Sequence, residues 1–292
     1  MDLRHPRSVR AFLLLAAFVC IVSFAVRADE VPRTGGPYVP TPQNVVDEML
    51  KLANVQPQDF VIDLGSGDGR IVLTAARRYS AHGLGFDIDE ELVELSNEKA
   101  REQGLAGRAS FRVQDVVTAP VDGASVLTLY LLPGMTRILQ PRLFRELKPG
   151  ARIVSHDFEL GDWKPDRQVS VDVAEKYGTP GSWKSTIFLW VVPAHVEGLW
   201  RMAVPAPRGG QWTLRLRQRF QYLEGTLHQN GRRHAIAGAQ VDGSRVRFRV
   251  SRRGARRDER FEARIEGDRM VGTAELGDNA ISWSAVRDRA AQ

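Results

Sequence analysis

The chain has 292 residues, 43% of them hydrophobic and 26% charged, which is enough apolar material for more than one core and excludes a disordered or fibrous protein. Forty-one basic residues against 35 acidic ones give a formal charge of +6. Much of the excess is arginine late in the chain, where it serves a solvated basic face or an anionic partner surface. The single cysteine, Cys20, lies in an N-terminal apolar run, which leaves the rest without a disulfide, a thiolate nucleophile or a cysteine metal site, and no metal is expected.

Arg4, Arg7 and Arg10 precede an apolar run from Ala11 to Val26 that is short for a membrane span. Val26-Arg27-Ala28 then offers a cleavage site, so residues 1–28 are expected to be a signal peptide removed after Ala28. Left uncleaved, the segment would be an anchor with its basic flank inside. Either way the folded part is expected to be exported, periplasmic or attached to the inner membrane facing the periplasm. Val19 stands where lipid attachment at Cys20 would want a small residue.

Residues 29–40 read as a linker. Thr41 before Pro42 reads as an N-cap, and Val45, Val46, Met49, Leu50 and Ala53 repeat at helical spacing. Phe60–Leu64 is a short apolar strand that runs into a glycine cluster, and Ile71–Tyr79 returns to helix. Leu84–Asp87 is a second strand, and Asp89 caps an acidic-headed helix that ends by Gly104. Phe111–Gln114, Ser125–Leu131 and Arg152–Ser155 continue the strands, with a helix from about Met135 to Leu147 closed by Pro149-Gly150. Val169–Val173 and Ile187–Val192 read as an antiparallel hairpin at the sheet edge. The alternation predicts an α/β domain over 41–193, a doubly wound, mostly parallel, seven-stranded Rossmann-like sheet of the class I methyltransferase layout.

Beyond Pro193 the texture changes to short runs such as Trp200–Val204, Trp212–Phe220, Val246–Val250 and Phe261–Ile265, broken by Asn-Gly, Asp-Gly and Glu-Gly turns. Leu214–Arg217 and Arg245–Val250 alternate apolar residues with arginines. The expectation is an all-β domain over 198–288, a barrel or a sandwich.

Asp63-Leu64-Gly65-Ser66-Gly67-Asp68-Gly69 sits between the first strand and its helix, where side-chain-free backbone lets amides approach a ligand at a helix N-terminus. The spacing is neither that of a dinucleotide fingerprint nor that of a Walker loop. Asp87, at the end of the second strand, lies at the separation where a carboxylate meets a ribose diol in nucleotide-binding α/β folds; taken alone it would be a strand-end or capping residue. Asp115, just past the third strand, is either a turn aspartate or a partner for an adenine amino group. Tyr130 after the fourth strand and His156-Asp157 after the fifth lie at carboxyl ends of strands, where open α/β sheets build their sites, and are the candidate catalytic residues.

Tyr38-Val39-Pro40-Thr41, Asp63 to Arg70 and the segment around Leu131-Leu132-Pro133 resemble the ATP synthase c-subunit lysine methyltransferase family and its prokaryotic relatives, over roughly Tyr38 to Val192. The resemblance implies a protein-lysine N-methyltransferase that uses S-adenosylmethionine. It places Asp63, Gly65 and Gly67 at the methionine end of the cofactor, Asp87 at the ribose, and Tyr38 as a lid. The export segment and the β domain lie outside it. The alternative is an exported, non-catalytic binding protein on a methyltransferase fold. A nucleic-acid partner is disfavoured by the export segment and by the regular alternation of the arginines, whereas an anionic surface could meet the β domain.

Overall fold

The computed structural model describes Gly36 and residues 38–291, except 177, 206–208, 253–256 and 278. The expected signal or anchor segment lies outside the described residues. Among the described residues no helix is long and apolar enough to cross a membrane.

In chain order the first domain runs α1 (Gln43–Leu52), β1 (Phe60–Leu64), α2 (Arg70–Tyr79), β2 (His82–Asp87), α3 (Glu90–Glu102), β3 (Ala109–Val113), β4 (Val126–Leu129), α4 (Pro133–Glu146), β5 (Arg152–His156), β6 (Arg167–Lys176) and β7 (Thr179–Val191). The strands form one sheet in the order β3-β2-β1-β4-β5-β7-β6. The first five are parallel, and β7 enters antiparallel between β5 and β6. The apolar stripe of α1 and α2 packs Val45, Met49, Leu50, Ile71 and Ala75 on one face of the sheet, against Val61, Val126 and Ile187. The other face carries Ile62, Leu84, Leu127 and Ile153 against Met135, Leu139 and Leu143 of α4. Helices on both faces explain why β1, β4 and β5 read as continuous apolar runs.

One expected cap is a correction. Pro42, with an extended ψ of 143°, occupies the cap position of α1, and no side chain caps that helix. Thr41 therefore stands one residue too early to reach the first-turn amides. Asp89 does cap α3, accepting from the amides of Glu91 and Leu92. The helix expected from Met135 begins at Pro133, where proline in the first turn forfeits no hydrogen bond.

The second domain is a closed antiparallel barrel of β8 (Gly198–Ala203), β9 (Trp212–Arg219), β10 (Tyr222–Gln229), β11 (Arg232–Asp242), β12 (Arg245–Val250), β13 (Glu259–Glu266), β14 (Arg269–Leu276) and β15 (Asn279–Arg287). The expected choice between barrel and sandwich is settled as a barrel. Strict alternation puts Val246, Phe248 and Val250 inside and Arg245, Arg247 and Arg249 outside. The interior is filled by Trp200, Trp212, Phe248, Phe261, Met270 and Trp283.

An aromatic seam joins barrel and sheet. Phe220 stacks on Trp163 at 5.3 Å, and Phe144 of α4 meets both rings edge-on at 5.4–5.5 Å. Trp163 is fully buried. Its Nε1 donates to Oε1 of Gln221 at 2.9 Å, and Gln221 Nε2 donates to the carbonyl of Lys164 at 2.8 Å. The segment thus held runs from the end of β5 to the start of β6.

Candidate active site

The loop after β1 turns through three glycines at positive φ, Gly65, Gly67 and Gly69 (79°, 51° and 79°). A Cβ on Gly65 would lie 2.9 Å from Leu131 Cδ2, and one on Gly67 would lie 2.5 Å from Tyr38 Cε2. Neighbouring chain fixes the loop. The amides of Gly65 and Ser66 donate to the carbonyl of Phe86, and Ser96 of α3 donates to the carbonyl of Gly67. Asp87 Oδ2 accepts from the amide of Gly67 at 2.7 Å, so the carboxylate ending β2 and the glycine loop are one structure.

Asp63 is buried in β1 and accepts from the Thr128 hydroxyl of β4 at 2.6 Å. Burial pushes its pKa up to about 7 against that hydrogen bond, with Asp87 and Asp68 adding to the rise. Asp68 is also partly buried, but Arg70 and Lys99 outweigh burial and hold it at about 2. Arg70 reaches on through Nη1 to the carbonyl of Thr41 at 2.8 Å. Residues 38–40, expected as the end of a linker, and Thr41 are thereby strapped across the glycine loop, with the Tyr38 ring over Gly67. Asp115 Oδ1 accepts from the amide of Val117 at 2.8 Å, which gives it a turn role.

The three candidate catalytic residues come together. The Tyr130 ring stacks on the imidazole of His156 at 3.9 Å, and Phe158 extends the stack at 6.3 Å. His156 is 1% exposed, whereas Tyr130 is only partly covered. Burial pushes His156 down to about 4, with Lys176 adding and Asp157 opposing, so its ring is neutral at ordinary pH. Its Nε2 lies 3.5 Å from Asp157 Oδ2 and its Nδ1 3.4 Å from Thr41 Oγ1. A proton on Nε2 faces the Asp157 carboxylate without making a hydrogen bond to it, and Nδ1 then accepts from the Thr41 hydroxyl. Asp157, at a φ of 61°, also accepts the amide of Thr186 at 2.9 Å and the ammonium of Lys176 at 3.0 Å. The result is a line of groups from Lys176 through Asp157 and His156 to Thr41, on which the Tyr130 ring rests.

Sequence reasoning missed Thr41 and Lys176 as members of this cluster. Helix capping accounted for the threonine, and nothing local marks the lysine, which returns from the β6–β7 hairpin. Among the described residues no group of three or more metal-ligating side chains occurs.

Glycine loop, Asp87, Tyr130 and His156 all lie at the carboxyl ends of β1, β2, β4 and β5, at the crevice where the strand order reverses. With that strand order and an antiparallel β7, this defines a class I methyltransferase. The residues fit S-adenosylmethionine: Gly65 and Gly67 put no side chain of their own into the loop, and a carboxylate stands at the strand end where a ribose would lie.

Comparison with known proteins narrows the class. The ANTKMT methyltransferase domain matches residues 63–167. A protein-lysine N-methyltransferase of Saccharolobus islandicus is 38% identical over 160 residues, 54% of this chain and 95% of that protein. The ATP synthase c-subunit lysine N-methyltransferase of Homo sapiens is 30% identical over 130 residues, 44% of this chain and 55% of that protein, so the chain spans little over half of the human relative. A crystal structure of an RNA methyltransferase from Salinibacter ruber in complex with S-adenosyl-L-homocysteine is 45% identical, with a TM-score of 0.48, over 54% of this chain and 96% of that one. The chain belongs to the ANTKMT-type methyltransferase family and is an S-adenosylmethionine-dependent enzyme.

Proposed function

We propose that the chain methylates the Nζ of lysine side chains in a protein substrate and does so outside the cytoplasm. The observation that carries the acceptor class is the ammonium already housed at the acceptor end: Lys176 Nζ sits on the buried carboxylate of Asp157, beside a neutral imidazole and the Tyr130 ring. The names of the archaeal and human relatives support the same reading. The export half rests on the sequence alone, on the basic flank, apolar run and Ala28 site.

When bound, S-adenosylmethionine supplies an electrophilic methyl group on a sulfonium. On this reading Asp63, Gly65 and Gly67 line its methionine end, Asp87 the ribose hydroxyls and Asp115 the adenine, while Tyr38 covers it. The acceptor lysine must arrive neutral. Desolvation against the rings of Tyr130 and Phe158 favours loss of its proton, and their faces accommodate the cation that methylation leaves. His156 is too weak a base to keep the proton, and with its Nδ1 at the Thr41 hydroxyl it supports Tyr130 from beneath. Asp157, balanced by Lys176, completes the positioning. Closure of the strap over Gly67 excludes water and holds the reactants in line.

The test uses the chain from Asp29, which retains every described residue. Calorimetric titration with S-adenosylmethionine should show binding that Asp87→Ala weakens by at least about tenfold, one charge-assisted contact's worth. With labelled cofactor and a periplasmic extract, the label should be recovered as Nε-methyllysine. Label recovered only in carboxylate esters or in RNA would overturn the lysine assignment. Export is checked by sequencing the N-terminus of the chain recovered from periplasm, expected at Asp29; recovery of the intact chain from cytosol would overturn it.

A further inference from the structure

The outer wall of the barrel carries an arrangement that solvation alone does not call for. β12 and β13 are adjacent and antiparallel, and their register sets Arg245 directly opposite Arg264, and Arg249 directly opposite Arg260. All four side chains are exposed. Like charges directly opposite on neighbouring strands are destabilising. Elsewhere on the barrel four arginines face acids: Arg217 opposes Glu224, Arg269 opposes Glu266, and Arg201 and Arg287 are bonded to Asp288 and Asp268. Arg247, between the two like pairs, bonds to Gln240 and stands opposite Glu262, and Asp242, Glu262 and Glu266 temper the wall. Among the described residues Arg245, Arg249 and Arg264 enter no ion pair within 4.0 Å, and Arg260 reaches Glu275 at 3.7 Å.

We propose that this wall of β11 to β13 is a docking surface for an anionic phospholipid bilayer. Charge complementarity supplies the partner's sign, since an anionic surface turns both like-charged registers from a cost into an attraction. Shape and composition supply its kind. The outer wall of a closed barrel is convex and does not enter a nucleic-acid groove, which admits a helix or a two-stranded ribbon. Among the described residues of β11 to β13 no exposed aromatic side chain stands between these arginines, and the exposed Tyr222 lies outside them on β10, so the wall lacks the run of stacking rings that single-stranded nucleic acid uses. Its exposed apolar members are small, Ala235 and Ala237, and a mobile array of lipid phosphates matches arginines at any spacing.

The surface is independent of methyl transfer and is measured without cofactor. The chain from Asp29 is used, because the apolar N-terminal run would itself enter vesicles. It is floated with vesicles of phosphatidylcholine alone or with added phosphatidylglycerol, and in parallel titrated with single-stranded RNA and duplex DNA. The decisive variant is Arg249→Glu with Arg264→Glu, which converts both like pairs into opposite pairs. Binding to the anionic vesicles alone, weakening as salt rises and falling at least about tenfold in the variant, is expected. The variant's melting temperature should hold or rise, which a folding defect could not produce. Absence of binding at low salt, equal binding by the variant, or tighter binding to nucleic acid that the variant abolishes would each overturn the proposal.

Discussion

Gly67→Ala places a methyl group 2.5 Å from Cε2 and 2.9 Å from Cδ2 of Tyr38, on a backbone held at a φ of 51°. The left-handed backbone costs alanine about 1–2 kcal/mol. Tyr38 is 48% exposed and can swing outward, so relief of the overlap costs about 1 kcal/mol, the low end of overpacking. The sum, about 2–3 kcal/mol, should appear as a lower urea midpoint at unchanged slope. Because the ring leaves its place over Gly67 in both cases, calorimetry should find cofactor affinity reduced to a similar degree in Gly67→Ala and Tyr38→Ala. The double variant separates the contributions: without the ring, Gly67→Ala should cost only the backbone part, giving a coupling of about 1 kcal/mol. Strictly additive costs, or full affinity in Tyr38→Ala, would refute the strap as a lid.

Cofactor affinity should also follow the ionisation of Asp63. Its carboxyl titrates near 7 in the folded chain against an ordinary value of 3.8, and a cofactor ammonium needs it ionised. Affinity should therefore fall below pH about 7, by at most about tenfold per pH unit, and Asp63→Asn should flatten the profile; a flat profile in the parent would remove Asp63 from the cofactor. Stability of the unliganded chain moves oppositely, since a raised group stabilises fully below the unfolded pKa and its contribution is lost as pH rises through about 7. Gln221→Leu should destabilise by about 1–3 kcal/mol, because it strands the buried Nε1 of Trp163; a urea midpoint within error of the parent would show the seam to be held by ring packing alone.

Much of the sheet was legible because its strands are buried on both faces. Phe60–Leu64 reads as an apolar run, and its glycine loop can serve little else. The strand-end rule was enough to bring Tyr130 and His156 to one crevice, although they are remote in sequence. The barrel was legible only in half. β9, β12 and β13 alternate large apolar residues with arginine, whereas β11 passes through Ala235, Ala237, Gly238 and Ala239, and β10 carries Gly225 and Thr226, where the period of two has too little contrast. Contacts that depend on closure of the fold left no local trace. Thr41 beneath His156 and Lys176 on Asp157 are tertiary pairings over 115 and 19 residues. Thr41-Pro42 carried a capping signal that the ψ of Pro42 cancelled.

The ring stack between Phe220 and Trp163 bears on how this architecture could have been assembled. The Saccharolobus relative matches over nearly its whole length and yet corresponds to only 54% of this chain, so the methyltransferase fold has no general need of a barrel. In this chain, however, Phe144 and Trp163 are committed to the seam, and removing the barrel would strip cover from a tryptophan that is now fully buried. The barrel is thus part of the interior of the domain it adjoins. Removing the barrel would require simultaneous replacement of the aromatic residues that face it, so the two domains can be separated only at a cost to the first.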